Sequence, residues 1–152
     1  INGEVFRFNN GSGYMEGDRG MSFPRRYLWT QCSWKRNSIM LSVADIPFFG
    51  CHFIGCIGFI YLNGQEHRLA TYCGVRLLQI KSDSIVVRQG DITLKVELLE
   101  SNSHPLRAPQ SGGMTRTIHE SASCRVRYTC LIGKKPILDF VSNRASFENC
   151  WD

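Results

Sequence analysis

Apolar and polar residues alternate along much of this chain with a period of two. Residues Ile92-Thr93-Leu94-Lys95-Val96-Glu97-Leu98 do so without a slip, the pattern of a strand with one face in a core and one in water. Cys124-Arg125-Val126-Arg127-Tyr128-Thr129-Cys130 repeats it, as does the segment 39–43. Turn chemistry lies between such runs. Asn63-Gly64 separates 57–62 from 65–71 and is a strong hairpin signal, because both residues tolerate positive φ. Gln89-Gly90-Asp91 joins 85–88 to the strand that follows, and Gly133-Lys134 lies between Cys130 and Ile137. Asn2-Gly3 predicts that Ile1 opens a strand whose partner is 4–8. No window holds a 3.6-residue apolar stripe longer than two turns. Short strands at close spacing predict an all-β, antiparallel sandwich or barrel.

Three segments interrupt the alternation. Residues 11–24 and 101–113 are rich in Gly, Ser, Asn and Pro and read as loops within one domain. Residues 46–62 (IPFFGCHFIGCIGFIYL) are the most apolar stretch, but Pro47, three glycines and His52 argue against a spanning helix, which needs about 20 apolar residues. The pattern predicts an approach loop and a strand buried on both faces. Phe48, Phe49, Phe53 and Phe59 are also placed to line an apolar cavity or to touch a membrane surface.

Composition narrows the function. With 152 residues, 43% apolar and 20% charged, the chain is one globular domain. Ile1, with no initiating Met and no basic-then-apolar leader, is expected to be a fragment boundary. The net charge of +5 is spread along the chain, with pairs at Arg25-Arg26, Lys35-Arg36 and Lys134-Lys135. Without a basic tract or a binding motif, nucleic acid is not an expected partner. Seven irregularly spaced cysteines argue against a disulfide scaffold and for reduced thiols, hence a cytoplasmic protein. A zinc site would have to use Cys51, His52, Cys56 and Cys73, which lack a paired-thiolate spacing; no metal and no cofactor are expected. None of GxSxG, HExxH, a phosphate loop or a dinucleotide fingerprint is present.

Two segments break the ordinary β pattern. The first runs from Tyr14-Met15-Glu16-Gly17-Asp18-Arg19-Gly20 through Phe23-Pro24 into Trp29-Thr30-Gln31-Cys32-Ser33-Trp34. The second is His104-Pro105-Leu106-Arg107-Ala108-Pro109, followed by Gly112-Gly113-Met114 and Ile118-His119-Glu120-Ser121. Together they resemble the second half of the tocopherol cyclase-like family, in its bacterial form, over most of the chain from about residue 14 to 147. Ser33 stands where the plant cyclases have Asn, and Arg19 where they have Trp. The resemblance implies a lipocalin-like (calycin-type) β-barrel, normally one of two in tandem, with ligand between or inside them. Residues 1–24 would then be the connection from a first barrel, and 25–152 the second barrel. It also implies ring closure on a prenylated hydroquinone: an acid protonates the alkene of the tail and the phenol oxygen captures the tertiary cation. Implied partners are a hydrophobic or prenylated small molecule, the first barrel or a second copy, and peripherally a membrane.

Such chemistry needs a positioned acid, aromatic faces that tolerate positive charge, and a polar clamp. Glu16 and Asp18 lie in the acidic loop of the resemblance, where exposed loop carboxylates are the alternative. Glu120 with His119 matches its basic-acidic pair, with an Arg116–Glu120 ion pair as the alternative. Asp45, at the end of a strand, is a further candidate acid. For ligand binding the candidates are Phe23, Trp29, Gln31, Ser33, Trp34, Arg107 and His119. Alternation puts Trp29, Gln31 and Ser33 on one face and Leu28, Thr30, Cys32 and Trp34 on the other. Arg107 is equally suited to fixing the 105–109 loop through carbonyls. Without a catalysed step, the same set describes a lipid-binding barrel.

Overall fold

In the computed structural model, which describes residues 1–11, 13–17 and 19–151, the alternating segments become strands. In chain order these are β1 (Tyr27–Trp34), β2 (Asn37–Phe48), β3 (Cys51–Leu62), β4 (Gln65–Ala70), β5 (Arg76–Lys81), β6 (Ser84–Gln89), β7 (Ile92–Glu100), β8 (His104–Gln110), β9 (Gly113–Glu120), β10 (Cys124–Ile132) and β11 (Lys135–Asn149). A 3-10 turn, Thr71–Cys73, follows β4. Among the described residues no helix is long and apolar enough to cross a membrane.

Nine strands form one antiparallel sheet in the order β4-β3-β2-β1-β11-β10-β7-β6-β5, and β8 with β9 forms a separate hairpin. The long sheet curls into half a barrel. Its inner face carries one contiguous core drawn from both arms: Leu28, Leu41 and Ile60 on one side, Ile85, Leu94, Val96 and Val126 on the other. Each such side chain is fully buried and contributes about 1.5–3 kcal/mol. One polar pair crosses this core. Thr30 Oγ1 lies 2.7 Å from the Tyr128 hydroxyl and 2.9 Å from the Ser146 carbonyl. A threonine has one proton to give; with that proton on the carbonyl, Tyr128 donates to Thr30. Tyr128 also stacks on Phe140, which in turn meets Trp34 at 4.4 Å between ring centroids.

The two edges, β4 and β5, are not joined by a ladder. Gln89, on β6, accepts the Ala70 N–H through Oε1 at 3.0 Å and donates through Nε2 to the Arg68 carbonyl at 2.8 Å. A side-chain amide thus stands in for one rung between the arms.

Three expectations change. Residues 1–8 form no strand pair: the Asn2-Gly3 turn is present, with Glu4 N–H on the Ile1 carbonyl, but no strands flank it. A turn signal fixes only its own residues, and here no neighbouring strand supplies a ladder. Residues 101–113, expected as a loop, contain β8; Pro105 and Pro109 are tolerated because a two-stranded hairpin is all edge. Residues 46–62 hold no approach loop. They form the end of β2, a Phe49-Gly50 turn with φ of 45° and 80°, and β3. Nor is β3 buried on both faces, since Ile57 and Tyr61 are exposed while Cys56, Gly58 and Ile60 are buried.

Gly58 marks the closest approach in the sheet: a Cβ there would sit 2.6 Å from the Met40 carbonyl oxygen and 3.1 Å from Leu41 Cα, both backbone atoms. Gly58→Ala is expected to destabilise the protein by about 2 kcal/mol or more, lowering Tm by roughly 4–8 °C in a thermal melt. The thiols supply a second check. Burial pushes the Cys56 and Cys130 thiols up, to about 12 and about 11, and raises Cys32 as well. In a native titration with an aromatic disulfide reagent, exposed Cys51 and Cys73 should react fast. Half-buried Cys150 should react more slowly, and Cys32, Cys56, Cys124 and Cys130 only on unfolding, which brings the total to seven.

Candidate functional site

The outer face of the sheet is covered over β1 and its neighbours, and the cover leaves a cavity of about 540 Å³. Its floor follows the register. Glu148 on β11, Trp29 on β1, Ser42 on β2 and Ile57 on β3 stand opposite one another in a single row across four strands. Tyr27 and Ala44 make the neighbouring row. The cover is the N-terminal segment with Tyr14, Glu16, Gly17, Phe23 and Pro24, joined by Glu120 from the end of β9.

Residues 21–25 are held in place by the β8–β9 hairpin. Phe23 N–H donates to the Pro109 carbonyl, Gly112 N–H to the Met21 carbonyl and Ser111 N–H to Ser22 Oγ. Arg116 then fixes the last turn of this segment, donating through Nη1 to the Pro24 carbonyl at 2.6 Å and through Nη2 to the Arg25 carbonyl at 3.0 Å. This engagement removes the alternative of an Arg116–Glu120 ion pair. Among the described residues Glu120 has no ion pair; it is half-buried and lines the groove.

Two other carboxylates are held by aromatic donors. Glu16 Oε2 accepts from the Tyr14 hydroxyl at 2.7 Å and from Trp29 Nε1 at 3.0 Å, which sets it at the exposed rim. Glu148 Oε2 accepts from the Tyr27 hydroxyl at 3.3 Å. Burial pushes both phenols, Tyr14 and Tyr27, above the usual tyrosine range, aided by Glu16 at Tyr14 and by Cys150 and then Glu148 at Tyr27. Both remain protonated donors. The aromatic wall is completed by Phe23, whose ring lies 5.8 Å from that of Tyr27. No Lys, Arg or His is among the described lining residues. Electron-rich ring faces and a lining without described basic residues favour positive charge in the groove. Among the described residues no cluster of three His, Cys, Asp or Glu is arranged to hold a metal ion.

Of the candidate residues, Glu16, Glu120, Phe23 and Trp29 meet in the groove. The others lie elsewhere. Gln31 and Ser33 share the outer face with Trp29, but Gln31 is buried with Nε2 donating to Ser33 Oγ at 2.7 Å, beyond the cavity lining. Trp34 faces the opposite way, packing on the core and Phe140, as its place in the alternation requires. Arg107 is exposed and donates to the Thr115 carbonyl across its own hairpin. His119 is exposed on β9 and does not line the cavity. Asp45 is not an available acid. Burial alone would raise its carboxyl, but Arg26 at 3.1 Å and His52 at 3.0 Å outweigh that and hold it below the usual carboxylate range. Asp18 lies outside the described residues. Sequence reasoning missed Tyr27, Ser42, Ala44, Ile57 and Glu148. Tyr27 was within reach, two residues from Trp29 on the same face; the rest depend on which strands pair.

No family model, curated protein or solved structure matches the chain.

The Asp45 contacts make a pH-dependent prediction. A carboxyl whose pKa is lower in the folded than in the unfolded chain stabilises fully above the unfolded value of about 4, and the contribution is lost as pH falls through the folded value. Asp45→Asn should therefore melt below the wild type near neutral pH. The two melting temperatures should converge as pH falls through the depressed folded value of Asp45, below which both side chains are neutral.

Proposed function

We propose that the outer groove binds an amphipathic, polyprenyl-type small molecule. Its polar aromatic head sits among Tyr14, Trp29 and the carboxylates, and its tail crosses Ala44 and Ile57 towards the β2–β3 turn. The observation that carries this reading is the convergence of four aromatic side chains and three carboxylates on one cavity whose described lining has no basic residue. The likeness of the motifs around residues 14–34 and 104–121 to the tocopherol cyclase-like family supports it. In the same reading the curled sheet is a lipocalin-type barrel whose interior is filled by side chains, so that ligand lies outside it, where a first barrel or a second copy would close the groove.

One observation favours a catalysed step. Glu120 lines the groove without a basic partner, because Arg116 is committed to the carbonyls of Pro24 and Arg25. Covering a carboxyl group with an apolar tail favours its neutral, proton-donating form. In the cyclisation so envisaged, Glu120 gives its proton to the alkene and the aromatic wall stabilises the tertiary cation. The phenol oxygen then forms the new C–O bond and its proton returns to a carboxylate. No redox partner is required.

Mass spectrometry of the natively purified protein should detect a co-purifying amphiphile, and a prenylated hydroquinone should quench Trp29 emission saturably. Trp29→Phe should remove that signal, because Trp34 and Trp151 pack against the core and do not line the groove. Glu120→Gln is expected to retain binding within roughly threefold while lowering chroman formation at least 100-fold. Binding without turnover in the wild type would leave a carrier. Absence of saturable quenching by any prenylated quinol would overturn the binding reading itself.

A further inference from the structure

Beyond the sheet, the ends of β2 and β3 project as a two-stranded ribbon. β1 pairs with β2 only as far as Ala44, and β4 pairs with β3 only from Ile57, yet β2 and β3 remain paired with each other out to Phe48 and Cys51. The projecting part is about 10 Å long at the rise of a strand. Its tip is aromatic and exposed: Phe49 is 93% accessible, Phe48 59% and Phe53 44%. The rings meet edge to face, with centroids 4.6 Å apart for Phe48–Phe49 and 6.2 Å for Phe48–Phe53.

Neither folding nor the groove explains this tip. Phe49 sits at φ 45°, a left-handed conformation suited to Asn or Gly and unfavourable for a bulky side chain. A strained, water-exposed phenylalanine at the point of a turn contributes nothing to the core. We propose that the ribbon tip inserts Phe48, Phe49 and Phe53 into the surface of an anionic lipid bilayer.

Three further observations select a bilayer as the occupant. From Ile46 to Gln65 the chain has no Asp, Glu, Lys or Arg, so nothing on the tip carries a fixed charge into an apolar phase. The nearest acid, Asp45, is already paired with Arg26 and hydrogen-bonded to His52. Exposed Arg25 precedes Arg26, whose carbonyl accepts the Asp45 N–H at the foot of the ribbon, on a chain of net charge +5, which suits anionic headgroups. A narrow convex point also presents far less than the roughly 800 Å² per partner of a stable protein interface, whereas fluid lipid conforms to it. The outward edges of the ribbon keep unpaired N–H and C=O groups, which limits insertion to the interfacial region, where water and headgroups satisfy them. The proposal is independent of the ligand assigned to the groove.

The test is flotation of the purified protein with vesicles of phosphatidylcholine, with and without phosphatidylglycerol. The wild type should float with the phosphatidylglycerol vesicles. Phe49→Asn, which replaces the strained residue by one that favours the same turn, should keep the wild-type melting temperature and lose roughly tenfold in partitioning. Adding Phe48→Ser should deepen the loss, and Arg25→Gln should weaken binding about fivefold on anionic vesicles only. If the wild type stays with free protein, or Phe49→Asn floats equally well, the proposal fails. It also fails if Phe49→Asn changes only the sedimentation of the protein from dimer to monomer, which would assign the tip to a second copy.

Discussion

Strand β1 is buried on both faces, and an antiparallel strand in that position needs a layer on each side. The sheet provides one by curling, which brings Ile85, Leu94, Val96 and Val126 over Leu28 and Cys32. It cannot provide the other, because both arms are used in the curl. The second layer is irregular chain, residues 14–17 and 19–24, held by the small β8–β9 hairpin and pinned by the guanidinium of Arg116. Irregular backbone covers a flat row of side chains imperfectly, and the space left between the two is the groove. The site is thus a consequence of how the middle strand is covered.

That arrangement explains which parts were legible in the sequence. Alternation exposed most of the strands, since an apolar residue at every second position reports one buried face. It also sorted β1 correctly: Trp29, Gln31 and Ser33 do share a face, and Trp34 belongs to the other, where it packs. Glu16, Glu120, Phe23 and Trp29 could be grouped through motif likeness, and they meet in one cavity. Glu148 could not. It reaches Trp29 only because β11, the last strand, pairs with β1, the first, and no local pattern encodes that pairing. Asp45 was misjudged because its partners come from different places, His52 across the β2–β3 hairpin and Arg26 from before β1.

The electrostatics of the groove run against those of the whole chain. A protein of net charge +5 gathers three carboxylates in one cavity and lines it with no described base. Two of the three are tied to aromatic donors, Glu16 to Tyr14 and Trp29, Glu148 to Tyr27. These bonds fix carboxylates and rings as a unit. Neither the rings nor the carboxylates can turn away without losing a hydrogen bond.

Gln89 carries a different implication, for how the molecule comes apart. One side-chain amide bridges β4 and β6, where a closed barrel would have a full ladder between neighbouring strands. A half-barrel whose two arms are linked there by a side chain in place of a ladder has a preferred place to open. When it opens there, the edges laid bare are β4 and β5, each able to template the edge of another copy. The charges along those edges, Glu66 and Arg68 on one and Arg76 and Lys81 on the other, then act as gatekeepers against runaway strand exchange.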